Sequence, residues 1–180
     1  QAQEACGITD GQRHVLMMCG SMGCGPLEEL TKELSQVLPP DTYLSVVCGT
    51  NERLYRRLTR RFSDCSNVRI LGFVTNIPTL MSGSALYLTK PGGLSVTEAA
   101  NRRLPMVFVN AVAGCEEYNL QYFVSRGMAK TADEPRELAA LCVSLLADES
   151  ALAHMREQMQ LHFNTDAARS AFDVMMREYE

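Results

Sequence analysis

The sequence predicts an α/β fold, in which a Rossmann-like parallel sheet of about six strands is flanked by helices and followed by a helical C-terminal tail. Short runs that are apolar throughout, as in strands buried on both faces, alternate with segments of helical period. The chain has 180 residues, 46% of them apolar, which is enough for one well-buried domain or one lobe of a larger enzyme.

The first half of the chain supplies three strands and the helices that follow them. The predicted strands are HVLMMC (14–19), TYLSVVC (42–48) and VRILGF (68–73). Pro26 is a residue favoured at the first position of a helix, and the apolar face of the helix that follows is Leu27, Leu30, Leu34 and Val37 or Leu38. The other two predicted helices are an arginine-rich one over 51–62 and a short one around 76–82.

The second half continues the alternation and then becomes helical. Its predicted strands are ALYLT (85–89), MVFVN (106–110) and the short MAKT (128–131). Its predicted helices run from about 94 to 102, from about 116 to 126, and onward from 134, where leucine, methionine and phenylalanine recur at helical spacing. We find no repeat, low-complexity tract or internal linker, so residues 1–180 are predicted to form a single domain.

The charge balance argues against nucleic-acid binding. The formal net charge is −4, whereas binding a polyanion requires clustered lysines and arginines. One basic cluster recurs at helical spacing: Arg53, Arg56, Arg57, Arg60 and Arg61. Two interpretations stay open for it, a solvated helix face and a patch that touches anionic lipid or a partner lobe.

The cysteines indicate neither a zinc site nor a disulfide framework. There are seven, without a Cys-x-x-Cys pair, and no histidine lies at ligand spacing from them, so a reducing cytosol fits best. No apolar run reaches the roughly 18 residues that a membrane-spanning helix needs, and no signal peptide is visible. The chain begins at Gln1 without a methionine, which indicates a piece of a longer protein.

In a sheet of this class, ligands bind beyond the carboxyl ends of the strands, where the strand order reverses. This rule selects the turns after strands one, three, four and five. The first, CGSMGCGPLEEL, carries Gly20, Gly23 and Gly25 before a helix N-terminus that favours an anion. The spacing differs from G-x-G-x-x-G, and no acidic residue ends the second strand, so an NAD site is not predicted. A tight turn without a ligand is the alternative.

The turn after strand four, TKPGGLSVTEA, carries the stronger signal. Gly92 and Gly93 allow a ligand to approach the backbone, and Leu94 to Thr97 are expected to offer free N–H groups to a diphosphate. Ser95 adds a hydroxyl donor, Lys90 a positive charge, and Glu98, expected in the first helical turn, an acceptor for a vicinal diol such as ribose. Ser95-x-x-Glu98 also fits a capping box that requires no ligand.

The remaining two turns add an aromatic face and further acidic residues. Phe73, after strand three, can stack on a base with the Val74 backbone beside it, although a phenylalanine there is often part of the core. Glu116 follows Gly114 and Cys115 at a helix start, where it complements the helix dipole or binds sugar hydroxyls. Together the four turns supply a base platform, a diol acceptor, phosphate cradles and sugar ligands, the inventory of a nucleotide-diphosphate-sugar site.

In KPGGLSVTEAANRRLPMVFVNAVAGCEEYN (90–119) the sequence resembles the C-terminal lobe of glycosyltransferase family 28, in particular diacylglycerol glucosyltransferases and monogalactosyldiacylglycerol synthases. The resemblance covers nearly the whole chain. It implies the two-lobe GT-B architecture, of which this chain is the UDP-sugar-binding C-terminal half and the N-terminal acceptor lobe is absent. It also implies peripheral contact with the cytosolic face of a membrane, and it places the catalytic base and the lipid acceptor site in the other lobe.

The resemblance assigns the individual residues as follows. The uracil contacts are Phe73 and Val74, and the ribose ligand is Glu98. The diphosphate segment is Lys90, Gly92, Gly93, Leu94 and Ser95, and the loop after the first strand, which faces the phosphates and the acceptor, contributes Gly20, Ser21 and Gly23. The hexose ligands are Glu116 and Asn119. Cys115 departs from the family pattern, because relatives usually have glutamine there. The donor sugar is therefore not determined.

The predicted function is transfer of a hexose from a UDP-sugar to a lipid such as diacylglycerol. No Asp-x-Asp pair is present to hold Mg²⁺, so neither a metal nor another cofactor is expected. The alternative is a non-catalytic UDP-sugar-binding subunit of a split, membrane-associated transferase. The arginine cluster and the helical tail are the features that suggest it.

Overall fold

The strands form one parallel sheet. The computed structural model describes residues 11–20, 26–109, 114–164 and 166–177. The strands in chain order are β1 (Arg13–Met18), β2 (Thr42–Val47), β3 (Val68–Leu71), β4 (Leu86–Thr89), β5 (Met106–Phe108) and β6 (Ala129–Thr131). They lie in the order β3-β2-β1-β4-β5-β6, and each neighbouring pair is parallel. The predicted fold class is confirmed.

Helices follow the strands as the sequence predicts. In the described ranges they are α1 (Leu27–Val37), α2 (Glu52–Arg61), α3 (Ile77–Ser82), α4 (Gly93–Asn101), α5 (Cys115–Ser125), α6 (Pro135–Ala147), α7 (Glu149–His162) and α8 (Ala167–Arg177). Pro26 was predicted at the first helical position but is the N-cap of α1, one residue before the helix begins at Leu27. The apolar face of α1 is completed by Leu38, which is buried, whereas Val37 is exposed.

Several predicted strands extend too far at their carboxyl ends. Cys19 and Val109 are buried but lie beyond the last paired residues of β1 and β5, because apolar burial continues past the end of the strand ladder. The prediction for β3 is wrong at Phe73, which is 70% exposed and follows the strand by two residues. An apolar side chain after a strand therefore does not by itself show that the strand continues.

The sheet is covered on both faces by apolar clusters. One face packs against α1, α2 and α6 through residues such as Leu30, Leu58 and Cys142. The other packs against α3, α4 and α5 through residues such as Met81, Val96 and Phe123. Burial on both sides explains why the strands are apolar throughout rather than alternating.

The C-terminal helices divide into a buried part and an exposed part. Both α6 and α7 contribute to the core, with Leu138, Leu146 and Met155 at most 1% exposed, so they belong to the domain rather than to a tail. The apolar side chains of α8 are at least half exposed: Phe172, Val174, Met175 and Met176. Among the described residues no single helix has the length and hydropathy of a membrane span, and the pair α6 and α7, which passes that test only jointly, is bent by 94°.

The arginine cluster on α2 is largely paired within the chain. Arg57 and Arg61 contact the two carboxylate oxygens of Glu28 on α1 at 2.7 and 2.5 Å, and Arg56 contacts Glu52 at 2.8 Å. These side chains are exposed, so each pair contributes little to stability. The pairing favours the solvated-face interpretation, and contact of this cluster with lipid stays a prediction.

His14 is a buried histidine that joins three segments near the amino ends of the strands. Its Nε2 lies 2.8 Å from Ser45 Oγ and its Nδ1 lies 2.9 Å from Ser84 Oγ. Because the Ser84 hydroxyl donates to the carbonyl of Leu80 at 2.6 Å, it accepts from Nδ1–H, and Nε2 accepts from Ser45. Both ring nitrogens are therefore satisfied in the neutral form. Burial, with a smaller contribution from the charge of Arg69, lowers the pKa of His14 from 6.5 to about 4.

We expect His14 to make the fold less stable as the pH falls from about 6.5 to about 4. The unfolded chain takes up the proton first, so stability is fully present above pH 6.5, declines in this window and then levels off, with a total loss of at most about 3 kcal/mol. Urea unfolding at a series of pH values measures it. His14→Gln should flatten this part of the profile, and His154→Gln, at an exposed site, should not. An unchanged slope in His14→Gln would contradict the assignment.

Candidate functional site

A cleft lies where the strand order reverses. The chain runs from β1 outward to β2 and β3 and then returns to β4, which pairs with the other side of β1. The cleft, of about 550 Å³, opens at the carboxyl ends of these four strands. It is lined by Met18, Gly20, Val47, Gly49, Phe73, Val74, Ile77, Pro78, Gly92, Gly93, Leu94, Ser95 and Glu98. This is the position at which open α/β sheets bind their ligands.

The loop between β4 and α4 forms one wall of the cleft. Helix α4 begins at Gly93 with Gly92 as its N-cap, and its first intrahelical bond runs from the Val96 N–H to the Gly92 carbonyl at 3.3 Å. The N–H groups ahead of that bond are those of Gly93, Leu94 and Ser95, so the predicted range of Leu94 to Thr97 is corrected by one to two residues. A Cβ at Gly92 or Gly93 would meet nothing within 4 Å. The backbone there is open to a ligand.

Glu98 lies in the second turn of α4, not in the first as the sequence analysis expected. The N-cap residue is Gly92, which makes no side-chain capping bond, so the capping box of Ser95 and Glu98 is not formed. Ser95 and Glu98 are three residues apart and both line the cleft, whereas Val96 between them is buried in the core. The helix therefore presents a hydroxyl and a carboxylate to the cleft side by side.

Phe73 and Val74 form the opposite rim. Phe73 is 70% exposed, which is unusual for an aromatic side chain, and Val74 is half-buried against the core cluster on the α4 side. The interpretation of Phe73 as a core residue is therefore excluded. An exposed ring at the rim of a cleft is available for stacking on a planar ligand.

The sequence analysis missed the turn after β2. Gly49 lies in this turn at φ 60°, in the left-handed region that favours glycine, and it lines the cleft with Val47, the last residue of β2. Ile77 and Pro78, at the start of α3, also line the cleft. The signal that was available is the glycine directly after a buried strand, in the sequence VVCGTN.

The loop after β1 contributes Gly20, whose φ of 75° confirms the expected need for glycine there. Gly20 lines the cleft beside Met18. The other predicted residues of this loop, Ser21, Gly23 and Gly25, lie outside the described residues.

The predicted sugar ligands on α5 do not line the cleft. Gly114 precedes α5 with φ 100° and ψ −126°, and Cys115 and Glu116 occupy the first turn, Cys115 being exposed. Asn119 Nδ2 donates to the carbonyl of Pro91 at 2.9 Å, so this helix is tied to the loop that leads into α4. Lys90 belongs to the same loop, and its carbonyl accepts from the Gly92 N–H at 2.7 Å. Asn119 is therefore placed to hold the glycine loop in position.

The thiols contribute no metal-binding cluster in the part of the chain that the structure describes. No group of three or more histidine, cysteine or acidic side chains there is arranged to hold a metal ion. Burial raises the pKa of Cys48 to about 11 and that of Cys142 to about 12. Both thiols stay protonated at neutral pH and act as core residues.

Known proteins resemble this chain in sequence and in fold. The family model described as the glycosyltransferase family 28 C-terminal domain matches residues 14–171. A processive diacylglycerol beta-glucosyltransferase from Staphylococcus carnosus is 40% identical over 148 residues, a match that covers 81% of this chain and 37% of the relative. The chain thus spans little more than a third of that relative's length.

Solved structures share the fold at lower identity. MurG from Acinetobacter baumannii superposes with a TM-score of 0.79 at 21% identity, covering 98% of this chain and 53% of that one. Anabaena HepE in complex with UDP-glucose superposes with a TM-score of 0.73 at 19% identity, covering 98% and 51%. The family match extends over most of the chain, from β1 into α8, and includes every strand that forms the cleft. The chain belongs to glycosyltransferase family 28, as its C-terminal domain.

Proposed function

We propose that this chain is the donor-binding half of a two-lobe glycosyltransferase that moves a hexose from a UDP-sugar to a lipid hydroxyl such as that of diacylglycerol, without a metal ion. The observation that carries the proposal is the cleft at the strand-order reversal, where an exposed aromatic ring, open backbone N–H groups and a carboxylate face one volume. The relatives named diacylglycerol glucosyltransferases support the lipid acceptor, and the solved complex of HepE with UDP-glucose supports the donor.

The dimensions of the cleft suit a uridine diphosphate. The uracil would stack on Phe73 beside the Val74 backbone, and the ribose hydroxyls would donate to Glu98. The diphosphate would accept from the N–H groups of Gly93, Leu94 and Ser95 at the positive end of the α4 dipole. Lys90, Gly20, Ser21 and Gly23 would complete the surroundings of the phosphates.

The hexose would extend from the diphosphate toward the first turn of α5. Glu116 is its proposed ligand there, and Cys115 stands where relatives usually have glutamine, so one hydrogen bond to the sugar is lost or weakened. Asn119 would affect hexose binding indirectly, because its amide donates to the Pro91 carbonyl and so positions the glycine loop. The identity of the donor sugar thus depends on α5 more than on α4.

In the reaction, the departing UDP carries developing negative charge. The N–H groups and dipole of α4 point at that charge and need no reorganisation when the bond breaks, which is the role that a metal ion fills in other transferases. We assign the base that deprotonates the lipid hydroxyl, and the contact with the cytosolic face of a membrane, to the part of the longer protein outside this chain.

Calorimetry with UDP tests the proposal. We expect UDP to bind with equal affinity in the presence and absence of EDTA, and NADH not to bind. Glu98→Ala should weaken UDP binding by about 1.5–3 kcal/mol, because it removes a charge-assisted hydrogen-bond acceptor.

The matched control is Glu157→Ala, on the exposed face of α7, which should bind UDP as the wild type does. Absence of UDP binding, or a requirement for a divalent cation, would overturn the proposed function. Normal affinity in Glu98→Ala would remove only the ribose assignment.

A further inference from the structure

Tyr87 carries a buried hydroxyl that the fold leaves without a hydrogen bond. The residue lies in β4, its side chain is 0% exposed, and among the described residues its hydroxyl has no partner within hydrogen-bonding geometry. A buried polar group without a partner is costly, because it loses its bonds to water and gains none in return. Such a group in a native fold requires an explanation.

The Tyr87 hydroxyl lies near the first turns of α4. The hydroxyls of Thr89 and Ser95 lie near enough to lower the pKa of the Tyr87 hydroxyl, although neither bonds to it within ordinary hydrogen-bond geometry, and the Glu98 carboxylate acts on that pKa in the opposite direction. Thr89 is also fully buried, and Ser95 and Glu98 line the cleft. Tyr87 therefore lies in the core next to residues that form the wall of the proposed diphosphate site, without lining the cleft itself.

The three hydroxyls are only loosely bonded. Thr89 Oγ1 donates to the Lys90 carbonyl at 3.2 Å, and Thr89 Oγ1 and Ser95 Oγ are 3.5 Å apart, at the outer limit of a hydrogen bond. Ser95 is half-buried and lines the cleft. The contact between Ser95 and Thr89 is thus weak enough to be exchanged for a bond to a ligand.

We propose that Tyr87 is a positioning residue for the diphosphate: when the ligand binds, the Tyr87 hydroxyl donates to Ser95 Oγ, and the Ser95 hydroxyl in turn donates to a phosphate oxygen. This inference rests on the proposed function and adds a residue that never touches the ligand. A serine hydroxyl has one hydrogen and two lone pairs, so a serine that donates to phosphate gains from a donor behind it. Consecutive hydrogen bonds of this kind polarise and strengthen one another.

The chemistry of Tyr87 fits that role. Burial raises the pKa of its hydroxyl well above the usual value, and the nearby Glu98 carboxylate acts in the same direction. The hydroxyl therefore keeps its proton near neutral pH and serves as a permanent donor. Within the part of the chain that the structure describes, the same hydroxyl is unsatisfied, and part of that cost is recovered when the ligand binds.

Tyr87→Phe tests the inference, because it removes only the hydroxyl. We expect UDP affinity to fall about 3- to 10-fold, the range of one hydrogen bond. Affinity for uridine, which lacks the diphosphate, should stay the same. The midpoint of urea unfolding should stay the same or rise, since an unpartnered buried hydroxyl is removed. Tyr43→Phe, on β2 and outside the residues that line the cleft, is the matched control and should alter none of these values.

A double-mutant cycle separates positioning from a general effect on packing. In a Ser95→Ala background the Tyr87→Phe change should cost no further UDP affinity, because the series of hydrogen bonds from Tyr87 to the phosphate is already interrupted at residue 95. Equal UDP affinity in Tyr87→Phe and wild type, an equal loss with uridine, a lower unfolding midpoint, or full additivity with Ser95→Ala would each overturn the inference. A wild-type chain that fails to bind UDP tells instead against the proposed function.

Discussion

Replacing Gly93 by valine should abolish UDP binding and leave the fold intact. Gly93 is the first residue of α4, and a Cβ built there meets nothing within 4 Å, so the free chain accommodates a side chain without displacement. The same space lines the cleft, where the diphosphate would approach the N–H groups of α4. Two charge-assisted hydrogen bonds displaced from that position would cost about 3 kcal/mol or more, a loss of at least about 150-fold.

The series Gly93→Ala and Gly93→Val grades the effect, since alanine adds one carbon and valine three. Calorimetry with UDP should give an intermediate affinity for the alanine variant, and urea unfolding should give wild-type midpoints for both. Ala140→Val, on the exposed face of α6, adds the same branched side chain to a helix away from the cleft and should bind UDP normally. Tight UDP binding by Gly93→Val would show that the ligand does not approach this backbone.

The composition of the strands was sufficient to predict the fold class. Runs without alternation occur when both faces are buried, and parallel strands require the intervening helices that the periodicity of residues such as Leu27, Leu30 and Leu34 indicates. The order of strands is a different kind of information. That β4 pairs with β1 depends on contacts between residues about 70 positions apart, such as Val15 with Leu86, and no local pattern encodes it.

The helix start at α4 shows where local patterns are ambiguous. The segment PGGLSVTEA permits a helix from Gly93 or from a residue nearer Ser95, and only the second possibility gives the predicted capping box. In the structure the helix begins at Gly93, and Val96, Ala99 and Ala100 are in the core. A shift of a residue or two is enough to move Glu98 from the first turn to the second.

The parts of the site that the sequence did not reveal are tertiary. Asn119 was expected to reach a sugar, but its amide is bonded to the Pro91 carbonyl, 28 residues earlier, a contact that exists only because α5 lies beside the glycine loop. In the sequence, Tyr87 looks like an ordinary buried strand residue, and only the structure shows that its hydroxyl lies near Ser95. Long-range neighbours of this kind determine which polar groups act together.

The largest loss of stability is expected from Phe108→Ala. Phe108 is the last residue of β5 and is fully buried, with its ring edge-on to that of Phe123 on α5, 6.0 Å between centroids. Phe123 in turn packs against Phe163, the residue that follows α7. Truncation leaves a cavity at the β5 end of this series of rings and removes the contact with Phe123, which together cost about 3–5 kcal/mol of the free energy of unfolding.

Urea unfolding followed by circular dichroism measures this loss, with Phe172→Ala as the matched control, since Phe172 on α8 is 55% exposed and should change stability by less than about 0.5 kcal/mol. The slope of unfolding free energy against urea should stay the same in both variants, because the surface exposed on unfolding hardly changes. A loss below about 1 kcal/mol in Phe108→Ala would contradict the packing of α5 on β5. The same packing holds Asn119 against the Pro91 carbonyl, so α5 must stay docked for the glycine loop to keep its shape.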